Sequence, residues 1–383
     1  MSTPTSDVLV QSPSFEQAVL DAWQGQLPLL ALFEVGNRLS EQGSAPLAAV
    51  LYQTWLSRNH TSHDHLVCFN LGVILFGQGD YTAALNVYSR ALHQAPQFFQ
   101  ARFNMGLTYE RLGQSEAALA QWFLIEVHAK ADDADQRGLL ILALNNMGRH
   151  LEEKGRYAEA MASLSKSLAL APHQPDVIHH WVFLRAKMCV WPVYLPEWGL
   201  TEAQLREHTS ALAMIALSED PQAQLEAARQ YVRSKINTDV PRLAPSHGYA
   251  HDKIRVAYCS SDFCLHPVSM LTVELFELHD RSRFEVIGID WSRDDRSALR
   301  QRVIRAMDRF ESVHQLSDEQ AAQRIRELEI DILIDLQGQT LGARPGILAL
   351  RPAPVQITYL GLPATTGFPF IDFVIADRFL IPE

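Results

Sequence analysis

The sequence predicts an α-solenoid followed by a Rossmann-like α/β domain with a parallel sheet. Two observations predict this fold class: glycine and alanine recur periodically in the first half, and β-branched runs alternate with amphipathic segments after Lys253. The length of 383 residues and the hydrophobic content of 47% suffice for two or three domains with their own cores. A mostly disordered chain is therefore excluded.

The repeat becomes visible when NLGVILFGQGDYTAALNVYSRAL, from Asn70, is laid over NMGLTYERLGQSEAALAQWFLIE, from Asn104. The two copies start 34 residues apart, which is the period of tetratricopeptide (TPR) helical hairpins. In each copy a glycine is followed by a second glycine seven residues later and by an alanine five residues after that. The same spacing occurs four times and predicts four hairpins, which begin around Gly36, Gly72, Gly106 and Gly148.

The small residues of this pattern let one helix lie close to its partner. We expect Tyr52 and Tyr88 to fill the equivalent gap between hairpins. Pro96 and Pro172 follow the second helix of their repeats, and proline ends a helix because it has no N–H to donate.

Such hairpins stack into a superhelix with a concave surface, for which a peptide is the expected ligand. The amides of Asn70 and Asn104, with those of Asn145 and Asn146, are candidates to hold a peptide backbone on that surface. Capping or hydrogen bonding within the repeat is the alternative role for these asparagines.

We divide the chain into a TPR superhelix (1–171), a helical connector with a linker (172–253) and a Rossmann-like lobe (254–383). In the connector, SEDPQAQLEAARQYVRSK predicts a helix capped by Ser218. NTDVPRLAPSHGYAHD, which is marked by proline and glycine, predicts an extended linker.

In the lobe, five strands are predicted at IRVAYC, FEVIGID, DILIDL, PVQITYL and FVIAD. Helices are predicted at VSMLTVELFEL, DRSALRQRVIRAMDRF and SDEQAAQRIREL. Strands that alternate with helices form a parallel sheet, and ligands bind at the carboxyl ends of its strands.

Three polar loops follow predicted strands and therefore meet at that edge of the sheet: SSDFCLHP, QGQTLGAR and GLPATTG. They predict a binding site. The sequence has no GxGxxG fingerprint and no GxxxxGK[ST] loop, so a dinucleotide site or a P-loop is not supported.

The composition narrows the range of partners and sites that the sequence allows. There are 33 Lys and Arg against 44 Asp and Glu, a formal charge of −11, which disfavours a nucleic-acid partner. The four cysteines show no repeated CxxC spacing, so neither a zinc site nor a disulfide framework is indicated. Since the sequence shows neither a signal peptide nor an apolar run of membrane-spanning length, we expect a cytoplasmic protein without a membrane partner.

RVAYCSSDFCLHPVS, DILIDLQGQTLGARPGILALRPAPVQITYLGLPATTG and IDFVIAD together resemble the amino-terminal catalytic lobe of the protein O-GlcNAc transferase family. These TPR-bearing glycosyltransferases include the SPINDLY-like proteins, and the connector segments CVWPV and ALSEDP resemble the bacterial members. The resemblance runs from about Gly36 to the end of the chain. It implies that the α/β domain is the first half of a GT-B-type glycosyltransferase.

The resemblance implies inverting transfer of N-acetylglucosamine from UDP-GlcNAc to Ser or Thr hydroxyls of proteins that the TPR groove guides. It implies no metal and no other cofactor, and an exposed TPR face is a suitable place for a homodimer contact. The family's proton-handling acid and histidine correspond to Asp262 and His266, which makes these the candidate catalytic residues. Its LGxP segment, beside the sugar and the acceptor, corresponds to Leu360, Gly361 and Pro363.

The chemistry of the residues is compatible with this assignment. A neutral imidazole accepts a proton at neutral pH, as a poorly nucleophilic hydroxyl requires, and a carboxylate sets its tautomer. The structural alternatives remain open: Asp262 caps the following helix, or His266 only packs there.

Two positions depart from the family pattern. Met270 stands where many relatives carry a second histidine, and Gln339 stands where several carry histidine or an aromatic residue. Relatives also continue into a second sheet domain that supplies most of the UDP pocket, whereas this sequence ends at FLIPE. We therefore expect this polypeptide alone to bind UDP-GlcNAc weakly, to turn over little, and to expose an apolar flank around IDFVIADRFLI.

Two alternatives remain: a non-catalytic TPR adaptor derived from a transferase, and a related transferase that uses another nucleotide sugar such as the fucose donor. The coding sequence past Glu383 discriminates between enzyme and adaptor, since a further α/β domain favours the enzyme.

Overall fold

A computed structural model describes residues 13–381 of the chain. The chain divides into two compact units, of which the first ends at Leu184 and the second begins at Arg185.

The first unit is a succession of antiparallel helices, and from α1 to α9 each packs on the next. It contains α1 (Phe15–Trp23), α2 (Leu29–Glu41), α3 (Ala45–Arg58), α4 (Asp64–Gly77), α5 (Tyr81–Gln94), α6 (Phe99–Arg111), α7 (Ser115–His128), α8 (Ala134–Glu153) and α9 (Tyr157–Leu170). Helix α10 (Pro175–Lys187) begins in the first unit and ends in the second. Helices α2 to α9 form the four predicted hairpins. Helices α5 and α9 end two residues before Pro96 and Pro172, as the sequence predicts.

Each hairpin is closed by a large side chain that lies directly over the glycine of its first helix. A Cβ atom on Gly36 would lie 2.2 Å from the Tyr52 hydroxyl, and one on Gly72 would lie 2.4 Å from the Tyr88 ring. Trp122 covers Gly106 in the same way. The tyrosines therefore fill a gap within a hairpin, and the prediction that they lie between hairpins is wrong. In these three hairpins the helix before the turn provides the glycine and the helix after it provides the ring, whereas in the fourth hairpin Leu164 lies over Gly148.

This packing makes Gly72 intolerant of a methyl group, whereas Gly77 in the same helix has nothing within 4 Å of its would-be Cβ. We expect Gly72→Ala to destabilise the first unit by about 1–3 kcal/mol, because Tyr88 is almost fully buried and has no free space to enter. Gly77→Ala is expected to be neutral or to stabilise by up to about 1 kcal/mol. Hydrogen exchange of α4 and α5 amides measures both, and equal effects of the two substitutions would contradict this packing.

Helices α11 (Glu202–Glu207), α12 (Ala211–Leu217) and α13 (Pro221–Lys235) open the second unit. The predicted helix at SEDPQAQL exists, but its cap is Asp220, whose carboxylate accepts from the backbone N–H of Gln222 at 2.9 Å. The prediction of Ser218 is wrong by two residues because Pro221 occupies the first helical position and Asp220 precedes it. Ser218 instead accepts a hydrogen bond from the Asp220 backbone N–H.

The predicted linker has neither helix nor strand from residue 237 to residue 250, and it lies against the α/β domain. Leu243 and Ala244 donate their backbone N–H groups to the carbonyls of Leu350 and Arg351. The Arg242 guanidinium bonds the carbonyl of Pro354.

A six-stranded, fully parallel sheet forms the α/β domain, with the strand order β3-β2-β1-β4-β5-β6. Its strands are β1 (Ile254–Ser260), β2 (Phe284–Asp290), β3 (Arg309–Ser312), β4 (Ile332–Asp335), β5 (Val355–Tyr359) and β6 (Phe373–Ile375). Its helices are α14 (Pro267–Leu278), α15 (Ala298–Arg305), α16 (Asp318–Glu327) and α17 (Pro345–Ala349). Two apolar clusters cover the two faces of the sheet.

All five predicted strands are present, whereas β3 replaces the end of a predicted helix. Helix α15 ends at Arg305, and Asp308 then joins the sheet through two hydrogen bonds to Val286, at 2.8 Å from its backbone N–H and 2.7 Å to its carboxylate. The apolar flank at residues 373–381 is exposed as expected, with Phe373 at 62% and Phe379 at 90% exposure.

Candidate functional site

The three polar loops follow β1, β4 and β5, which are neighbours in the sheet. We refer to them as the first loop (260–266), the second loop (337–344) and the third loop (360–367). In a parallel sheet the carboxyl ends of adjacent strands meet at one edge, which is where ligands bind. The structure brings the three loops into direct contact there, as the sequence predicts.

His266 is the N-cap of α14, and its Nδ1 accepts from the backbone N–H of Val268 at 3.3 Å. The same Nδ1 lies 3.6 Å from Oδ2 of Asp262. One nitrogen thus has two competing partners. If Nδ1 caps the helix, the neutral ring carries its proton on Nε2; if Nδ1–H points to Asp262, Nε2 is free to accept a proton.

The Asp262 carboxylate is mostly buried, with 16% of its side chain exposed, whereas 42% of the His266 side chain is exposed. Burial raises the pKa of the Asp262 carboxyl above its ordinary value. His266 and the hydrogen bonds from Ser261 and Gln337 act in the opposite direction. Asp262 is not the helix cap, because α14 begins at Pro267 and His266 makes the capping contact.

Gln337 connects the first and second loops. Its Nε2 donates to Oδ2 of Asp262 at 2.5 Å, and its Oε1 accepts from the Ser261 hydroxyl at 2.6 Å and from the Ser261 backbone N–H at 3.3 Å. The sequence predicts this loop, but nothing in it singles out Gln337. No local pattern marks it, since its partners are 75 and 76 residues away in the chain.

The third loop reaches the second loop through Gly361. Its φ is +70°, and a Cβ there would lie 2.7 Å from the Leu336 carbonyl oxygen, so a side chain at this position is excluded. Leu360 also has a positive φ, of 56°. Pro363 is exposed, and Gly361 and Leu360 are half-buried. Of the three predicted substrate-binding residues, Gly361 thus lies against the backbone of Leu336 and Gln337, and the role of all three remains a prediction.

Gln339 holds the third loop from its other side. Its Nε2 donates to the Thr366 carbonyl at 2.6 Å and to the Ala228 carbonyl, in α13, at 3.0 Å. Gly367 lies against the same helix, since a Cβ on it would be 3.0 Å from the Arg229 backbone nitrogen. Gln339 thus anchors the third loop and joins it to α13.

Asp335 ends β4 and accepts from the backbone N–H groups of Gln337 and Gly338, at 3.1 and 2.8 Å. Complete burial raises the pKa of Asp335 to about 6, against the effect of those two bonds. The folded form therefore binds the proton more tightly than the unfolded chain, whose Asp titrates near ~3.9. The contribution of Asp335 to stability is greatest below the unfolded-state value of ~3.9 and is lost as the pH rises through about 6.

The raised pKa of Asp335 predicts a different pH dependence of stability in the native chain and in a variant that does not titrate at this position. Between pH 4 and pH 7.5, the stability of strand β4 in the native chain should fall by about 2–3 kcal/mol relative to Asp335→Asn, which does not titrate. Hydrogen exchange of β4 amides, corrected for intrinsic rates, measures the opening free energy. Parallel pH dependence in the two proteins would show that Asp335 titrates as it does in the unfolded chain.

In the first unit, the four candidate asparagines differ in the hydrogen bonds that their side chains make. Asn104 lies 3.5 Å from the Tyr88 hydroxyl, and Asn145 is engaged by Gln174 and Ser167. Asn146 bonds the Leu142 carbonyl. Asn70 is half-buried and, among residues 13–381, its side chain has no hydrogen-bond partner. Only Asn70 has a wholly unengaged amide, and peptide binding by it and Asn104 remains a prediction.

Residues 13–381 contain one group with the spacing of metal ligands: Glu110, His150 and Glu153. Arg149 forms ion pairs with Glu110 at 2.6 Å and with Glu153 at 2.8 Å. Its guanidinium already supplies the positive charge, so the cluster fits an ion-pair network better than a cation site. Over the same residues, no helix combines the length and the apolar character needed to span a bilayer.

Residues 234–383 match the model of glycosyl transferase family 41, and residues 69–134 and 141–174 match tetratricopeptide-repeat models. A probable UDP-N-acetylglucosamine–peptide N-acetylglucosaminyltransferase, SEC, of Arabidopsis thaliana is 40% identical over 130 residues, which are 34% of this chain and 13% of that protein. The UDP-N-acetylglucosamine–peptide N-acetylglucosaminyltransferase of Caenorhabditis elegans is 40% identical over 131 residues, 34% of this chain and 11% of that one.

The chain thus spans about an eighth of the length of these curated relatives. Among solved structures, a lysine-to-methionine mutant of Thermobaculum terrenum O-GlcNAc transferase aligns with a TM-score of 0.41 and 19% identity, over 97% of this chain and 56% of that chain.

Proposed function

We propose that this chain takes part in transferring N-acetylglucosamine from UDP-GlcNAc to Ser or Thr hydroxyls of proteins. Its residues 234–383 match the model of glycosyl transferase family 41, and tetratricopeptide repeats precede them. The observation that carries the proposal is the contact of an imidazole with a buried carboxylate at the edge where the three loops meet. The names of the relatives, which specify peptide N-acetylglucosaminyltransferases, support the donor and the acceptor class.

The chemistry requires one proton transfer within this lobe. The acceptor oxygen attacks the anomeric carbon from the face opposite the UDP, the new C–O bond forms, and the bond to the diphosphate oxygen breaks with its electron pair. The hydroxyl proton leaves the acceptor at the same time. Nε2 of His266 receives it when Nδ1–H faces Asp262, because the carboxylate stabilises the imidazolium that forms.

The repeats supply the second part of the proposal, a surface for the acceptor protein. TPR hairpins bind extended peptides, and the unengaged amide of Asn70 offers both a donor and an acceptor to a peptide backbone. The half-buried Asn104 lies at the equivalent position of the next hairpin.

The test measures incorporation of labelled sugar from UDP-GlcNAc into a proteome extract, using the full product of the reading frame that encodes residues 1–383. Transfer onto Ser or Thr, located by mass spectrometry, supports the proposal. A parallel reaction with labelled GDP-fucose separates the two donors. A protein that binds peptides but transfers neither sugar would be a TPR adaptor, and the proposal would be wrong.

A further inference from the structure

Gln337 is a polar side chain that is almost fully buried, with 1% of the residue exposed. Its amide orientation follows from its partners. The Ser261 backbone N–H only donates, so Oε1 must face it, and Nε2 must therefore face Asp262. The donor thus points at the oxygen of Asp262 that lies nearest to Nδ1 of His266.

We propose that Gln337 is a positioning residue: it holds the Asp262 carboxylate ionised and turned toward His266, and so selects the imidazole tautomer with a free Nε2. This inference rests on the proposed function for its catalytic meaning. The effect of Gln337 on the Asp262 carboxylate does not depend on that function, because it is a property of the folded chain.

The ionisation of Asp262 decides the competition at Nδ1 of His266. Burial disfavours the ionised carboxylate of Asp262, and a hydrogen bond donated to the ionised form favours it. An ionised Asp262 attracts a proton on Nδ1, whereas a neutral Asp262 leaves Nδ1 to accept from Val268. The amide of Gln337 therefore acts on His266 through the carboxylate between them.

Other charged and titratable groups face this loop. They are Cys264 in the loop itself, Asp295, whose carboxylate accepts from the Leu265 N–H, Arg293, Arg300, which donates to the Phe263 carbonyl, and Asp335 below the second loop. These groups are unchanged in Gln337 variants. A difference in the titration of Asp262 between a Gln337 variant and the native chain can therefore be attributed to the amide of Gln337.

The first experiment uses the unaltered protein. In selectively labelled samples, the side-chain NH₂ resonances of Gln337 should move with pH at the same midpoint as the carboxyl carbon of Asp262. Asp262→Asn assigns the signal and should abolish that movement. If the Gln337 resonances do not respond to the titration of Asp262, the two groups are not coupled and the inference is wrong.

The second experiment compares Gln337→Met with Gln339→Met. Methionine preserves the length of the side chain and removes the donor. In Gln337→Met, Asp262 should titrate at a pH about one to two units higher than in the native chain, because a hydrogen bond to a charged group is lost. The ¹⁵N shifts of His266 should show more of the Nε2–H tautomer at neutral pH.

Gln339→Met is the matched control, since that amide bonds Thr366 and Ala228 but not Asp262. It should leave the Asp262 midpoint unchanged. Equal midpoints in the native chain and Gln337→Met would overturn the inference.

Where transfer is measurable, the acid limb of kcat in Gln337→Met should move to higher pH by the same one to two units, with little change in KM. An unchanged acid limb with a raised KM would mean that Gln337 only shapes the binding surface. The resonance measurements need no turnover. A chain that transfers no sugar would therefore refute the proposed function without deciding the coupling of Gln337 to Asp262.

Discussion

Replacement of His266 by asparagine is expected to lower sugar transfer by about 10²–10⁴-fold while leaving helix α14 intact. Asparagine is among the best N-cap residues, so its carboxamide oxygen can accept from the Val268 N–H that Nδ1 accepts from now. It cannot take up a proton at neutral pH. The substitution therefore separates the two roles that the structure places on one nitrogen.

His266→Ala is the companion variant, because it removes the cap as well as the base. We expect the same loss of transfer and, in addition, a destabilisation of α14 of about 0.5–2 kcal/mol. Single-turnover incorporation from labelled UDP-GlcNAc measures the first effect, and hydrogen exchange of the α14 amides measures the second. An asparagine variant that transfers sugar at the native rate would reduce His266 to a helix cap.

Arg300→Met is expected to destabilise the second unit by about 3–5 kcal/mol, the largest effect on stability that we predict. The Arg300 guanidinium donates to the Asp290 carboxylate at 2.8 Å and to the Phe263 carbonyl at 2.7 Å. The two side chains of this ion pair are only 10% and 2% exposed. Removing Arg300 leaves a buried carboxylate without its counter-ion and frees the backbone of the first loop.

Arg302→Met is the matched control in the same helix, α15. Arg302 pairs with Glu277 at 2.7 Å, but its side chain is 48% exposed, so we expect a far smaller loss of stability than for Arg300→Met. Hydrogen exchange of β2 amides follows both variants. The double variant Arg300→Met, Asp290→Asn should recover part of the stability that Arg300→Met loses, because it has no unpaired buried charge at this position. Similar effects of the two single methionine substitutions would show that burial of the Asp290 pair contributes little.

Much of the fold could be predicted from the sequence because its signals are local and repeated. A hairpin needs the same small residues at the same spacing each time, so the glycines at the four first helices are visible as a period. The five strands were found because β-branched runs differ in period from the helices around them. The meeting of three loops at one edge followed from the geometry of parallel strands.

The incorrect predictions at β3 and at the cap of α13 have a different cause. The start of β3 falls in the predicted helix because its segment continues the polar pattern of α15. Parallel pairing of residues 309–312 with β2, together with the two bonds between Asp308 and Val286, holds this segment in the sheet. The cap of α13 was misplaced because Ser218 and Asp220 are both good capping residues, and the position of Pro221 decides between them.

The sequence by itself determined the repeat, the alternation of strand and helix, and the polar loops that carry Asp262 and His266. The tertiary structure alone decided that Gln337 bonds Asp262, that Nδ1 of His266 has two competing partners, and that Gln339 anchors the third loop. The physical reason is that periodicity reflects backbone geometry over a few residues. The partner of a buried amide depends instead on which distant segments the packed sheet brings within 3 Å or so of it.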